Sequence, residues 1–342
     1  VNTVLHSGLT KVLMVDSFRE LSYELGNIGK NTVWVFDSKS ALMVRPLPEP
    51  NVILESGPSS KKFASVQRIL ECANENKFTE DATFLAIGGG VVSDVTGFAS
   101  ALWMYGSKLV LVPTTLVAMA DACVGGVTTI DFKSTRNRVG IIHPAETVII
   151  CTDTLKSLSK TDFMNGLSVI IKHSFLSEDE SLGKTMILEK QKVLAQDEKV
   201  IQNIISLSLR VKANYTEPVK RPLLELGEAL ACDLQLLYPS RFSYGKALAW
   251  GMCRSAEIAI DTGKCSQQYG QSIIRMYQSY GFDTQFRIPR TQWQEMRSVI
   301  NRDRSYSDRN YRFVLPVNQG KTEITEIDED TIRKAVIENV VF

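Results

Sequence analysis

The sequence predicts an α/β domain built on an open sheet, followed by a mostly α-helical domain. Three observations carry this. Short apolar runs alternate with helical spacing in the first half, and long helical patterns take over after Leu155. The 342 residues, 44% of them apolar, suffice for two cores of ordinary size. The boundary is placed at residue 154, which gives segments 1–154 and 155–342.

Taken in order, residues 32–37 (TVWVFD) and 51–55 (NVILE) read as strands, 60–76 carries helical spacing, and 83–87 (TFLAI) is again strand-like. That run leads into Gly88, Gly89 and Gly90, a helical stretch over 92–105, a strand over 108–112 (KLVLV) and a closing strand over 146–151 (ETVIIC). Strand, helix and strand in this order argue for crossover helices on an open sheet. The second half predicts helices over 160–176, 193–214, 223–237, 244–262 and 266–280, with one clear strand at 311–316. Prolines mark turns over 218–222 and around Pro289. Ligands are expected in the cleft between the two domains, beyond the carboxyl ends of the strands.

The formal net charge of +1 supplies no basic field for nucleic acid. No apolar stretch approaches the roughly 18–20 residues of a spanning helix, and residues 1–10 show no charged segment followed by an apolar one. Six scattered cysteines without a CxxC pair suggest reduced thiols in a cytoplasmic protein. There are only three histidines, His6, His143 and His173, so a zinc site built on two histidines beyond residue 173 is impossible.

A strand that runs through three glycines into a helix can hold a pyrophosphate. The glycines let the backbone approach, and the helix start offers unpaired N–H groups. The same triplet also serves as a tight turn without a ligand, and it is not the GxGxxG fingerprint. Asp94 near the helix start, and Thr114 and Thr115 at the end of the next strand, strengthen the phosphate reading, although each threonine could equally be a cap. A Rossmann-like nucleotide-binding domain is therefore expected.

At this point the pattern becomes specific. GGGVVSDVTGFAS (88–100), VPTTLVAMADACVGG (112–126), NRVGIIHP (137–144), TDTLKSL (152–158), GLSVIIKH (166–173), LLELG (223–227) and YGKALAWGM (244–252) run in the order and spacing of the 3-dehydroquinate synthase family. The resemblance extends from about residue 37 to 316. It implies a dehydroquinate synthase-like fold, a homodimer and NAD as cofactor. The implied chemistry is oxidation of a hydroxyl on a sugar phosphate, loss of phosphate, re-reduction and ring closure, with a divalent metal, usually zinc, polarising the oxidised oxygen. Asp37, Lys61, Gly88, Gly89, Gly90, Asp94, Thr114 and Thr115 match cofactor positions. Asp121 and Asn137 match polar positions beside substrate or cofactor, and Lys172, Lys212 and Arg221 match basic residues at the substrate.

The resemblance breaks where the metal belongs. The three ligand positions hold Val169, Glu228 and Tyr244. A valine binds no metal, and a phenol ionises only near about pH 10, so no zinc is expected. Cations expected at the phosphate are replaced by Val127 and Tyr105, a further histidine position is Cys232, and an expected lysine pair is Arg304 and Ser305. Lys246 is expected to pair with Glu228 and fill the space of the missing cation. The reading is an NAD-dependent, metal-independent cyclase acting on a small polar or phosphorylated sugar-like substrate. The alternative is a non-catalytic relative that serves as a partner or regulatory subunit. A homodimer, or assembly with a second family member, is expected, with no nucleic-acid or membrane partner. A metal-dependent alcohol dehydrogenase of the usual form is excluded by the histidine count.

Overall fold

In the computed structural model, which describes residues 2–133, 135–303 and 310–338, the chain opens with a hairpin of β1 (Asn2–Ser7) and β2 (Thr10–Val15). Helix α1 (Phe18–Gly26) starts where the Ser17 hydroxyl accepts the Glu20 N–H. Then follow β3 (Thr32–Asp37), β4 (Asn51–Leu54), α2 (Phe63–Glu75), β5 (Thr83–Gly88), α3 (Gly90–Leu102) and β6 (Lys108–Pro113). A second hairpin, β7 (Val127–Phe132) and β8 (Thr135–Ile142), precedes β9 (Thr147–Cys151).

β2, β9, β6, β5, β3 and β4 lie side by side in that order and pair in parallel, with β1 added antiparallel at the edge. The central strands are apolar on both faces, as buried parallel strands must be. Phe84, Leu85, Ala86 and Ile87 of β5 are all buried. Helix α3 lies close against β7, for a Cβ on Gly97 would come within 2.4 Å of the Thr128 methyl group.

The rest is mostly helical: α4 (Lys160–Leu176), α5 (Ser181–Leu188), α6 (Lys190–Leu194), α7 (Glu198–Ala213), α8 (Glu228–Leu237), α9 (Tyr244–Asp261), α10 (Gln267–Ser279) and α11 (Trp293–Asp303). A hairpin of β10 (Asn310–Asn318) and β11 (Lys321–Asp328) leads into α12 (Glu329–Val336). By contact the chain forms two compact units, Val1–Gly166 with Ile201–Ala213, and Leu167–Val200 with Asn214–Phe342. Lys212, which the sequence boundary assigns to the second domain, therefore belongs to the first unit.

The observed bounds depart from the periodicity at identifiable residues. The stretch 193–214 divides, with α6 ending at Leu194, Gln196 at φ 58°, and α7 starting at Glu198. The helix expected over 223–237 begins only at Glu228, because Pro222 sits in a short 3₁₀ turn and Gly227 adopts φ 75°. Both hairpins flanking the main sheet, and β11, carry weak alternation and were not expected as strands.

Candidate functional site

In the first unit, three neighbouring parallel strands end side by side. β3 ends at Asp37, β5 at Gly88 and β6 at Pro113, and Phe36 pairs with Ile87 as Gly88 pairs with Pro113. Gly89 is the N-cap of α3 and contributes no side-chain hydrogen bond, so the first-turn N–H groups of α3 have no side-chain cap. Thr114 follows directly, its N–H donating to the Gly88 carbonyl at 2.9 Å. Thr115 lies against the loop, since a Cβ on Gly89 would fall 3.1 Å from its methyl carbon. Its hydroxyl accepts the Ala118 N–H at 3.3 Å, which is the capping role. Asp37 folds onto its own turn, with Oδ1 accepting the N–H groups of Lys39 at 2.9 Å and Ser40 at 2.8 Å.

Asp94, one turn into α3, is paired with Lys61, and Thr129 Oγ1 donates to its Oδ2 at 3.3 Å. Burial pushes the Asp94 carboxyl above its ordinary range, while Lys61 pulls the other way. Lys61 also donates to Asn137 Oδ1. Asn137, at φ 52°, gives its N–H to Asp131 Oδ1 at 2.9 Å. Asn tolerates this left-handed conformation better than most residues. Thr129 and Asp131, which the sequence reading did not single out, therefore complete the network from β7. Their spacing of two on one strand is the only signal that could have found them. Asp121 lies in a π-helical segment (Ala118–Ala122), and Lys212 from α7 meets its Oδ1 at 2.5 Å.

In the second unit, Lys172 of α4 is almost fully buried. Its Nζ donates to Glu228 Oε1 at 2.7 Å and to the Leu224 carbonyl at 3.1 Å. The Tyr244 hydroxyl donates to the same Glu228 oxygen at 2.8 Å. Glu228 and Tyr244 are the first residues of α8 and α9, and these helices approach closely at Gly227 and Gly251. Val169, one turn before Lys172, is buried and offers no donor atom.

The expected Lys246–Glu228 pair is not formed. Lys246 is exposed, and Lys172 is the lysine that meets Glu228. Lys246, the third residue of α9, is turned outward, whereas a buried ammonium on α4 requires an acceptor. Arg221 bends onto its own loop, donating to the Thr216 carbonyl at 2.6 Å. Cys232 is half-buried, Val127 is partly exposed, and Tyr105 stands in solvent at φ 72°. Arg304 and Ser305 lie outside the described residues.

The implied zinc does not fit these side chains. Among the described residues no group of three or more His, Cys, Asp or Glu side chains is placed to hold a metal ion. A divalent ion on Glu228 would also face the Lys172 ammonium. At about 4 Å and an effective dielectric near 20, that repulsion amounts to about 8 kcal/mol. The implied NAD does fit. The glycines at the uncapped start of α3 leave room for a phosphate beside the strand ends, where a Cβ at Gly89 would crowd Thr115.

The fold is of the dehydroquinate synthase-like class, with a parallel-sheet unit carrying a glycine loop and a mostly helical unit after it. Family models agree: the N-terminal model of 3-dehydroquinate synthase matches residues 51–165 and the C-terminal model matches 166–306. The chain belongs to the 3-dehydroquinate synthase family. Among its relatives, the 3-dehydroquinate synthase of Nostoc punctiforme is 30% identical over 295 residues, covering 83% of this chain and 80% of that protein. The enzyme of Caldanaerobacter subterraneus subsp. tengcongensis is 28% identical over 298 residues, covering 83% and 81%. Two solved structures share the fold. A 2-deoxy-scyllo-inosose synthase complexed with carbaglucose-6-phosphate, NAD+ and Co2+ has a TM-score of 0.83 at 18% identity, covering 97% of each chain. The 2-epi-5-epi-valiolone synthase of Streptomyces hygroscopicus subsp. jinggangensis, with NAD+ and Zn2+ bound, has a TM-score of 0.81 at 18% identity, covering 97% and 96%.

Proposed function

We propose that this chain binds NAD and carries out cyclase chemistry of the family type on a small polar or phosphorylated sugar-like substrate, without a divalent metal. The observation that carries this reading is the cradle where β3, β5 and β6 end. Gly88, Gly89 and Gly90 open onto the start of α3, with Thr114 and Thr115 beside them and Asp94 clamped by Lys61 and Thr129. These residues, with Asp37, would hold NAD, which supplies reversible oxidation of a substrate hydroxyl when bound. The NAD+ carried by both structural neighbours supports the reading. Of the residues that the resemblance assigns to substrate, Lys212, Asp121 and Asn137 belong to the first unit and Lys172 and Arg221 to the second. The two lysines already face carboxylates and Arg221 a backbone carbonyl, an arrangement suited to a less anionic substrate.

A second reading, a non-catalytic family member acting as partner or regulatory subunit, is favoured by Val169 and by the inward fold of Arg221. We take the assembly to be a homodimer, as the resemblance implies, with a pairing to a second family member as the alternative, and the scattered thiols to suit the cytoplasm. Calorimetric titration of the purified protein with NAD, in buffer containing a chelator, separates the two readings. Saturation at micromolar NAD is expected. No saturable heat up to millimolar NAD overturns the first reading and leaves the second.

A further inference from the structure

The second unit holds a buried ammonium against Glu228, one of the three positions that the resemblance assigns to metal ligands, and this deepens the metal-free reading above. Lys172 is 3% exposed at its side chain, Glu228 21%. A lysine so deeply placed requires acceptors at hand, and Glu228 Oε1 and the Leu224 carbonyl both accept from it. Both belong to the segment leading into α8, with Gly227 in its left-handed conformation between them. Tyr244 closes the group from the start of α9, donating to the oxygen that Lys172 holds. Glu228 Oε1 thus receives two donors, which occupies both lone pairs of that oxygen.

We propose that Lys172 is a fixed internal cation of this site, that Glu228 and Tyr244 are its positioning residues, and that the group excludes a divalent metal by taking its carboxylate. The charge of the group differs from that of a metal-bearing one. Lys172 and Glu228 sum to zero, whereas the same lysine and carboxylate beside a divalent ion would sum to +2. The site so built therefore suits a neutral, oxygen-rich ligand, a polyol or its ketone, addressed by hydrogen-bond donors instead of a Lewis acid. Val169, buried one turn before Lys172 on α4, adds neither charge nor a competing acceptor.

The test reads Lys172 directly and is independent of NAD. Full-length protein is pulse-labelled by reductive methylation, and the rates at Lys172 and exposed Lys246 are compared by mass spectrometry. Lys172 is expected to react at least tenfold more slowly than Lys246, and Glu228→Gln to raise its relative rate at least fivefold. A merely structural Glu228 would leave that ratio unmoved, so a change of less than twofold in a folded variant overturns the proposal. Should Glu228→Gln fail to fold, zinc titration of the unmodified protein decides. No saturable heat and no change in Lys172 labelling are expected. Uptake of one equivalent of zinc at micromolar concentration, with altered Lys172 labelling, overturns it. NAD titration reports on the wider functional reading and is unaffected by either result.

Discussion

Replacing Gly251 by alanine places a methyl group where α8 and α9 meet. A Cβ there would lie 2.1 Å from the Gly227 carbonyl oxygen and 3.0 Å from the Ala231 nitrogen. Carbon and oxygen rest at about 3.3 Å even in close Cα–H contacts, so the helices must part locally by about 1 Å. Overpacking of this kind costs about 1–3 kcal/mol, and backbone obstacles fall toward the upper end because no side chain can turn aside. Alanine recovers at most about 1 kcal/mol of helix propensity over glycine. A net loss of about 2 kcal/mol follows, and at about 2–4 °C per kcal/mol for a unit of this size the melting temperature drops by about 4–8 °C. Differential scanning calorimetry measures it, with Gly183→Ala as control, since a Cβ there meets nothing nearer than 3.8 Å. Because Gly227 immediately precedes Glu228 and Tyr244 begins α9, the same wedge should also loosen the Lys172 group. A Gly251→Ala protein that melts within 1 °C of the parent would refute the close approach on which this reasoning rests.

Other outcomes follow from the first unit. Lys61→Met strands the largely buried Asp94 carboxylate and should cost about 2 kcal/mol in urea unfolding, with Asp94→Asn restoring most of it in the same background. The sign with pH is definite. A carboxyl held above its unfolded value penalises the folded state at neutral pH, so the Lys61→Met deficit must shrink as pH falls and Asp94 takes up its proton. Burial pushes the Cys123 and Cys253 thiols up to about 12, so at pH 8 iodoacetamide should modify half-buried Cys72 and Cys232 first. Peptide mapping that finds Cys123 modified as fast as Cys232 would contradict this placement.

Most of the scaffold was legible because buried parallel strands and long helices write their burial into local sequence. TFLAI and KLVLV could hardly be anything else, and the segment over 160–176 emerged with the bounds it has as α4. What escaped was specified by pairing and not by pattern. The hairpin β7–β8 is largely exposed along β8, so it carries no apolar alternation to read, and with it Thr129 and Asp131 were missed. The partner of Glu228 was misassigned for a related reason. Lys246 is close to Tyr244 in sequence, whereas Lys172 is 56 residues away from Glu228 and reaches it only because α4 and α8 are packed in one unit. Spacing along the chain predicts faces of one helix, and contacts between helices need the fold.

The return of Ile201–Ala213 to the first unit has a consequence for how the chain is made. A ribosome that has released only the first 166 residues has produced the whole parallel sheet, yet Asp121 still has no Lys212 and the Ala120 carbonyl no Ser208 hydroxyl. The sheet domain must wait for 47 further residues, 34 of which belong to the other unit, before its last element is delivered. The two units are thus interleaved in time as well as in sequence. A gene cut at the residue where the family models divide would encode a first half unable to finish itself.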